Sequence, residues 1–264
     1  MKTRDALRLL PTRWTRPPAS EDGPAGAGIA ARGVTVRYGG NVAVRDAPVT
    51  VHPGRMVAVV GGQGAGKSSL VNAVAGWSRG RPSVTGEVLL DGRDISRLAA
   101  HRRARLGVVL VPEGKGVFDQ LSVEDNLRLV PAPAGDRRPF GFDEIYELFP
   151  RLHERRIHKG SALSGGERQM LAVARALRAA PNALLLDEPS VGLAPRLVLD
   201  LLERVRQLAD RGLAVLLVEQ NVRAALDVVH HLYLLERGSV VAEGGAEEMR
   251  DDARLTRAYL GRAA

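Results

Sequence analysis

Met56–Leu70 reads MVAVVGGQGAGKSSL, and this stretch decides how the rest of the chain is arranged. Val57 to Val60 is a short apolar, β-branched run of the kind that forms a buried strand. Gly61, Gly62, Gly64 and Gly66 follow, interleaved with Gln63 and Ala65. Lys67, Ser68 and Ser69 then open an apolar run suited to a helix. Gly61 to Ser68 fit G-x-x-x-x-G-K-[ST], the phosphate-binding P-loop pattern. Without Cβ atoms, such a loop curls and points successive backbone N–H groups at one anion. The helix that starts there adds the positive end of its dipole. Lys67 is placed to reach β- and γ-phosphates, and Ser68 to ligate Mg²⁺. A glycine-rich turn would share the glycines; the strand before and the helix after are what the phosphate-binding motif requires.

The chain has 264 residues, 45% of them hydrophobic, enough for one large domain or a domain with a subdomain. It has no cysteine, which excludes disulfides, cysteine–zinc sites and thiol catalysis. No apolar run approaches the length that spans a bilayer, and the N-terminus lacks a signal-type apolar core. The net charge is +8, and only four of the 38 basic residues are lysines: Lys2, Lys67, Lys115 and Lys159. A basic surface suits nucleic acid, anionic membrane or a polyanionic ligand. Aromatic residues are 4% and are not interleaved with arginines as a single-strand-binding surface requires, so no nucleic-acid partner is expected. Solvated arginines are the plain reading, and a membrane-facing bias comes next.

Residues 1–28 are rich in Arg, Pro, Ala and Gly without periodicity, and read as a disordered basic extension. From residue 29 to 264 the pattern is regular. Strands are expected at 33–38, 42–51, 57–60, 86–90 and 107–111, with a basic helix over 95–105. Residues 114–163 change character. Ser122 caps a short helix to Leu129, residues 131–135 form a Pro-rich loop, and a helix from Phe142 to Phe149 is stopped by Pro150. This region reads as a helical subdomain inserted in an α/β core. Helices at 165–179, 196–210 and 221–229 then alternate with strands at 183–187 and 213–218, before strands at 231–236 and 239–243 and a helical C-terminus. Such alternation implies a mostly parallel sheet with flanking helices.

Two further stretches carry chemistry. Ala183–Glu188, ALLLDE, is a buried strand that delivers two carboxylates at its C-terminal end, the edge where open α/β sheets bind ligands. Beside a phosphate loop, Asp187 would hold Mg²⁺, and Glu188 would orient and deprotonate the attacking water. Leu163–Gln169, LSGGERQ, places Ser164, Gly165 and Gly166 at a helix start, a second anion site. One loop already holds one nucleotide's phosphates. The second site therefore points to a dimer with ATP between subunits.

A P-loop, LSGGE, then a strand ending in Asp-Glu resembles the ATP-binding subunits of ABC transporters, and the resemblance covers roughly 29–260. It implies a P-loop NTPase core with an antiparallel β-subdomain and an inserted helical subdomain. It also implies ATP and Mg²⁺ as cofactors, and a peripheral position on the cytoplasmic face of the membrane. Tyr38 matches the aromatic residue that stacks on adenine. Ser164, Gly165 and Gly166 match the signature that caps the γ-phosphate bound to the partner subunit. Ser190–Pro195, SVGLAP, matches the loop that crosses the dimer interface.

Three positions depart from the usual pattern. Glu113 stands where the family usually has Gln, in the loop that meets the metal. Gln220 stands where it usually has His, and can donate to the γ-phosphate without carrying positive charge. Ala194 stands where it usually has Asp. In the loop itself, Gly62 and Gln63 replace the usual Pro and Asn. Yet VPEG, LSVEDNL, DEPSVGLAP, LLVEQN and the C-terminal AYLG together resemble the LivF-type subunit of high-affinity branched-chain amino-acid importers. In that resemblance Glu113 and Gln220 are subtype features. The implied partners are a second ATPase subunit, two permease subunits and, indirectly, an external solute-binding protein. Urea importers and lipopolysaccharide exporters are the nearest rival transport readings. An ATPase acting on DNA or ribosomes and a non-catalytic ATP-binding regulator are rivals of other classes.

Overall fold

A computed structural model of the chain describes residues 28–255, apart from 79, 115 and 136, together with Tyr259. Nearly all of the basic extension, residues 1–27, lies outside the described residues. Gly28 itself is buried at the edge of the core, where its carbonyl accepts the Asp91 N–H at 3.2 Å.

Two sheets organise the molecule. The first is antiparallel and four-stranded: β1 (Ile29–Tyr38), β2 (Asn41–Val51), β4 (Ser83–Leu90) and β5 (Arg93–Asp94), in the order β2-β1-β4-β5. The second has six strands: β3 (Met56–Val60), β6 (Val108–Val111), β7 (Ala183–Asp187), β8 (Ala214–Glu219), β9 (His231–Glu236) and β10 (Ser239–Gly245). Their order is β10-β9-β3-β8-β7-β6, and every pairing is parallel except β9 with β10. This is the α/β P-loop NTPase arrangement expected from the alternation of elements.

The apolar runs have no polar alternation because both faces of the second sheet are covered. Each strand divides its residues between two cores by the period of two. Leu184, Leu186, Val215 and Leu217 face one cluster, whereas Leu185, Leu216, Val57 and Val59 face the other. The second cluster also holds Leu70, Val71 and Val74 of helix α1 (Lys67–Ala75) and the inner residues of the antiparallel sheet. The first holds helices α6 (Gly165–Arg178) and α7 (Pro195–Ala209). The buried face of β3 on both sides fixes where its C-terminal end, and therefore the glycine loop, must emerge.

Between β6 and α6 the chain forms α3 (Val123–Arg128), α4 (Phe142–Leu148) and α5 (Pro150–Glu154), and its described residues contribute no strand to either sheet. Ser122 caps α3 by accepting the Asp125 N–H at 3.0 Å. Buried Asn126 ties the preceding turn to α3: it accepts from Phe118 N at 2.8 Å and donates to the carbonyls of Phe118, Leu121 and Ser122.

Several expected boundaries differ, and β1 and β4 begin earlier than expected, at Ile29 and Ser83. The helix anticipated over 95–105 is α2 (Ala100–Arg105) alone. Ser96 is held by Asp94 Oδ1 at 2.8 Å from its N–H, and Ile95 N donates to Val88 O, so this stretch stays with the sheet. Pro150 does not merely stop α4; it occupies the first turn of α5, where a missing N–H costs nothing. The helix expected over 221–229 is shorter, α8 (Val222–Leu226). Two short helices, α9 (Ala246–Arg250) and α10 (Ala253–Leu255), follow β10.

The arginines are not simply solvated. Arg103 of α2 is 4% exposed and donates to four carbonyls: Ala73 at 2.8 Å, Val74 at 2.7 Å, Leu98 at 2.9 Å and Ser96 at 2.6 Å. Ala73 and Val74 are in the last turn of α1, where carbonyls run short of helical partners, although Ala73 O also accepts the Gly76 N–H at 3.2 Å. Arg137, Arg175, Arg178, Arg204 and Arg206 likewise donate to main-chain carbonyls of distant segments. Lysine cannot reproduce this fork of donors. Arg103→Lys is expected to cost about 2–3 kcal/mol by orphaning buried carbonyls, which lowers Tm by about 5–10 °C for a domain of this size. Thermal denaturation followed by circular dichroism checks it, and an unchanged Tm would show that water replaces the guanidinium.

Candidate nucleotide site

The loop Gly61–Gly66 leaves the end of β3 and turns directly into α1. Two glycines are required by close backbone approach. A Cβ on Gly61 would lie 2.2 Å from Leu235 O, and one on Gly66, whose φ is +106°, would lie 2.3 Å from Ala43 O. The loop is also tied to the turn between β9 and β10, because Gly238 N donates to Ala65 O at 2.8 Å. Gln63 and Gly64 are exposed at its tip.

Lys67, the first residue of α1, is buried at 4% exposure. Its ammonium donates to Gly62 O at 3.1 Å and pairs with Glu188 Oε1 at 3.0 Å. Ser68 Oγ donates to Asp187 Oδ1 at 3.0 Å. The two carboxylates at the end of β7 thus meet the two polar side chains that follow the glycine loop, across 119 residues in the case of Ser68 and Asp187. Glu188 has φ +47°, a left-handed conformation uncommon outside glycine, and its N–H donates to Val218 O at 2.9 Å.

Asp187 is 5% exposed, and its carboxyl is pushed up to about 6. Burial is the main cause. The Ser68 hydrogen bond and Lys67 oppose it, while Glu188 and Glu113 push further upward. Glu113, exposed just beyond β6, is therefore close enough for its charge to be felt at Asp187. A cavity of about 820 Å³ joins Tyr38, Ser68, Ser69, Asn72, Glu113 and Asp187. It joins the expected Tyr38, Ser68, Ser69, Glu113 and Asp187, whereas Gly61 to Gly66, Lys67 and Glu188 do not line it.

Sheet order places the remaining residues. β7 lies between β6 and β8, so Glu113 and Gln220 follow the strands on either side of Asp187. Gln220 is exposed. Its neighbour Glu219, given no role in the sequence reading, is wholly buried and accepts four hydrogen bonds. Ser190 N donates at 3.0 Å, Ser190 Oγ at 2.7 Å, Gln220 N at 3.2 Å and Asn221 N at 3.4 Å. Burial pushes this carboxyl upward against those bonds. Glu219 therefore joins the loop carrying Gln220 to the loop carrying Ser190–Pro195. The one signal in the sequence is a carboxylate ending an otherwise apolar strand.

Ser164, Gly165 and Gly166 do not line the cavity. Ser164 caps α6, accepting from Glu167 N at 3.3 Å while its own N–H donates to Glu167 Oε2 at 2.9 Å. The glycines lie against Leu193 and Leu197: a Cβ would approach their side chains to 3.4 Å at Gly165 and 2.8 Å at Gly166. Val191 and Leu197 are exposed beside them, at 53% and 38%.

Among the described residues, no three His, Cys, Asp or Glu side chains gather into a metal cluster. Asp187 and Ser68 supply an all-oxygen pair, which suits Mg²⁺, an ion that takes few protein ligands and completes its shell with water and phosphate. Among the described residues, no helix is long and apolar enough to cross a membrane.

The ABC transporter family model matches residues 44–191. The chain is 38% identical over 229 residues to the high-affinity branched-chain amino acid transport ATP-binding protein BraG of Pseudomonas aeruginosa, covering 86% of this chain and 97% of BraG. It is 36% identical to the lipopolysaccharide export system ATP-binding protein LptB of Escherichia coli K12, covering 89% of this chain and 98% of LptB. A crystal structure of an ATP-binding cassette of an ABC transporter in its ADP conformation superposes with a TM-score of 0.76. It covers 89% of this chain and 99% of that one at 24% identity, a likeness of fold.

The raised Asp187 carboxyl has a signed consequence in the nucleotide-free protein. A carboxyl that releases its proton at 3.8 unfolded and at about 6 folded lowers stability as pH rises through that window, by about 3 kcal/mol in full. Asp187→Asn keeps an acceptor for Ser68 and has no proton to lose. In chelator and without nucleotide, the variant is expected to be about 1–3 kcal/mol more stable than wild type at pH 8, with the gain shrinking toward pH 4. Chemical denaturation at both pH values checks it; a gain independent of pH would assign the effect to something other than ionisation.

Proposed function

Given that this chain belongs to the ABC transporter family, as an ATP-binding subunit that hydrolyses ATP, we propose that it powers the import of branched-chain amino acids. The observation that carries the import reading is the pair Glu113 and Gln220 on the two strand ends that flank Asp187. That pair resembles the LivF-type subunit, and the likeness to BraG points the same way. A second reading, export, is favoured by a likeness to LptB of nearly equal strength.

The site supports a division of labour. Gly61–Gly66 and Lys67 bind the phosphates, with Ser69 beside them, and Tyr38 stacks on the adenine. Ser68 and Asp187 would hold Mg²⁺, which would neutralise phosphate charge, with Glu113 a further carboxylate that would serve the same ion. Glu188 is the general base. Before nucleotide arrives it neutralises Lys67 at 3.0 Å. Lys67 then exchanges Glu188 for phosphate oxygens, and the released carboxylate is free to accept a proton from water. Gln220 offers a neutral N–H donor to developing charge, weaker than an imidazolium.

Ser164, Gly165 and Gly166 stand apart from the loop in their own chain, so they serve ATP on a second ATPase subunit. Exposed Val191 and Leu197 suit burial in that dimer. Glu219 couples the interface loop to Gln220, so closure of the dimer reaches the γ-phosphate side. The helices between Gly114 and Leu163 contact the permease subunits at the cytoplasmic face, and a solute-binding protein supplies the substrate outside.

Glu188→Gln keeps the shape of the base and removes its proton affinity. It is expected to bind ATP, turn over at least about 100-fold more slowly and accumulate as an ATP-bound dimer in size-exclusion chromatography. Turnover at the wild-type rate would remove Glu188 from the chemistry. Transport direction is decided in the host: disrupting this gene is expected to abolish uptake of labelled leucine, isoleucine and valine. Intact uptake combined with a defect in surface lipid export would favour the LptB-like reading instead.

A further inference from the structure

The far end of the chain reaches the phosphate loop. Tyr259 Oη accepts a hydrogen bond from Gly62 N at 2.9 Å, across 197 residues, and its ring is half-buried against the larger core cluster. Gly62 is also where the loop holds itself. Its carbonyl accepts both the Lys67 ammonium at 3.1 Å and the Ala65 N–H at 3.2 Å. The Gly62 carbonyl therefore sets the position of the cation and the curl of the loop, and Tyr259 holds the preceding peptide unit, the one that carries the Gly62 N–H.

Gly62 is not glycine for steric reasons. Its φ lies outside the left-handed region, and an added Cβ would meet nothing nearer than Tyr259 Oη at 3.6 Å. Proline here would fix φ and carry no N–H. Glycine supplies the donor but leaves the loop with more conformational freedom to lose on ordering. A fixed acceptor for that donor offsets the loss.

We propose that Tyr259 is a positioning residue of the nucleotide site: by accepting the Gly62 N–H, it holds the phosphate loop in its anion-binding curl before nucleotide arrives, in place of the constraint that proline would impose. Tyr259 is thereby part of the apparatus that sets nucleotide affinity. This rests on the assignment of Gly61–Ser68 as the ATP-binding loop.

The test is a double-mutant cycle on the full chain, with MgATP affinity by calorimetry and steady-state ATPase as readouts. Tyr259→Phe keeps the ring and removes the acceptor. It is expected to raise the Kd and KM for ATP about five- to tenfold, the value of one hydrogen bond, with kcat changed less than twofold and Tm within 2 °C or so. In a Gly62→Pro background, which has no N–H to hold, adding Tyr259→Phe is expected to change neither Kd nor KM. In Gly62→Ala, which keeps the N–H, the same addition costs the full factor again. If Gly62→Pro does not fold, the comparison between wild type and Gly62→Ala, with the KM-against-kcat split, decides it. Wild-type affinity in Tyr259→Phe, an equal loss in the proline background, or a fall in kcat with KM unchanged would overturn the proposal. Failure of the wild-type chain to bind MgATP would overturn the loop assignment instead.

Discussion

A buried ammonium group governs the arrangement at the end of the sheet. Lys67 has lost almost all contact with water, and an unpaired charge in that setting would cost several kcal/mol. Gly62 O and Glu188 Oε1 supply what water would have. To do so, Glu188 adopts a left-handed backbone at the very end of β7, a conformation kept in place by its N–H on Val218 O. One residue earlier, Asp187 turns to Ser68. The two strand ends are thus locked to each other by charge and hydrogen bonding.

The same strand order carries the constraint outward. β8 lies between the loop strand β3 and the carboxylate strand β7, and it ends in the buried Glu219. Its four donors come from two separate loops, Ser190 on one side and Gln220 and Asn221 on the other. A shift of either loop strands a buried carboxylate, so the two loops move together or the cost of an unsatisfied charge is met in full. This is a local route by which contact at the loop after β7 can reach the loop after β8.

What was legible in the sequence was local or periodic. The apolar run of β3, the glycine spacing before Lys67, the Asp-Glu pair ending β7 and the Ser164 cap are each set by a few adjacent residues. Both the P-loop fold and the grouping of Lys67, Ser68, Asp187 and Glu188 followed from them. What was not legible depends on partners far along the chain. Glu219 looks like any strand-ending carboxylate until Ser190 is brought against it. Arg103 looks like one of several arginines on a basic helix until its fork is seen to close the last turn of α1. Ile95 to Leu98 carries a helical pattern that the Asp94–Ser96 turn and the sheet override. Pro150 punctuates in either direction, and only the packing of Leu152 into the core shows that it begins a helix. Tyr259 sits in a run, AYLG, that offers no hint of a loop formed by residues 61–66.

The arginines have a consequence for the chain's isoelectric character. In many proteins a strongly basic composition is a property of the outer surface and can be tuned by exchange with neutral or acidic residues at little cost. Here Arg103, Arg137, Arg175, Arg178, Arg204 and Arg206 are engaged with main-chain carbonyls. They act as fasteners between segments that share no sheet, and Arg204 and Arg206 are also paired with Asp200 and Asp210. A designer who lowered the isoelectric point by trading arginines for glutamine would be removing seams, and the chain would come apart before its surface became acidic.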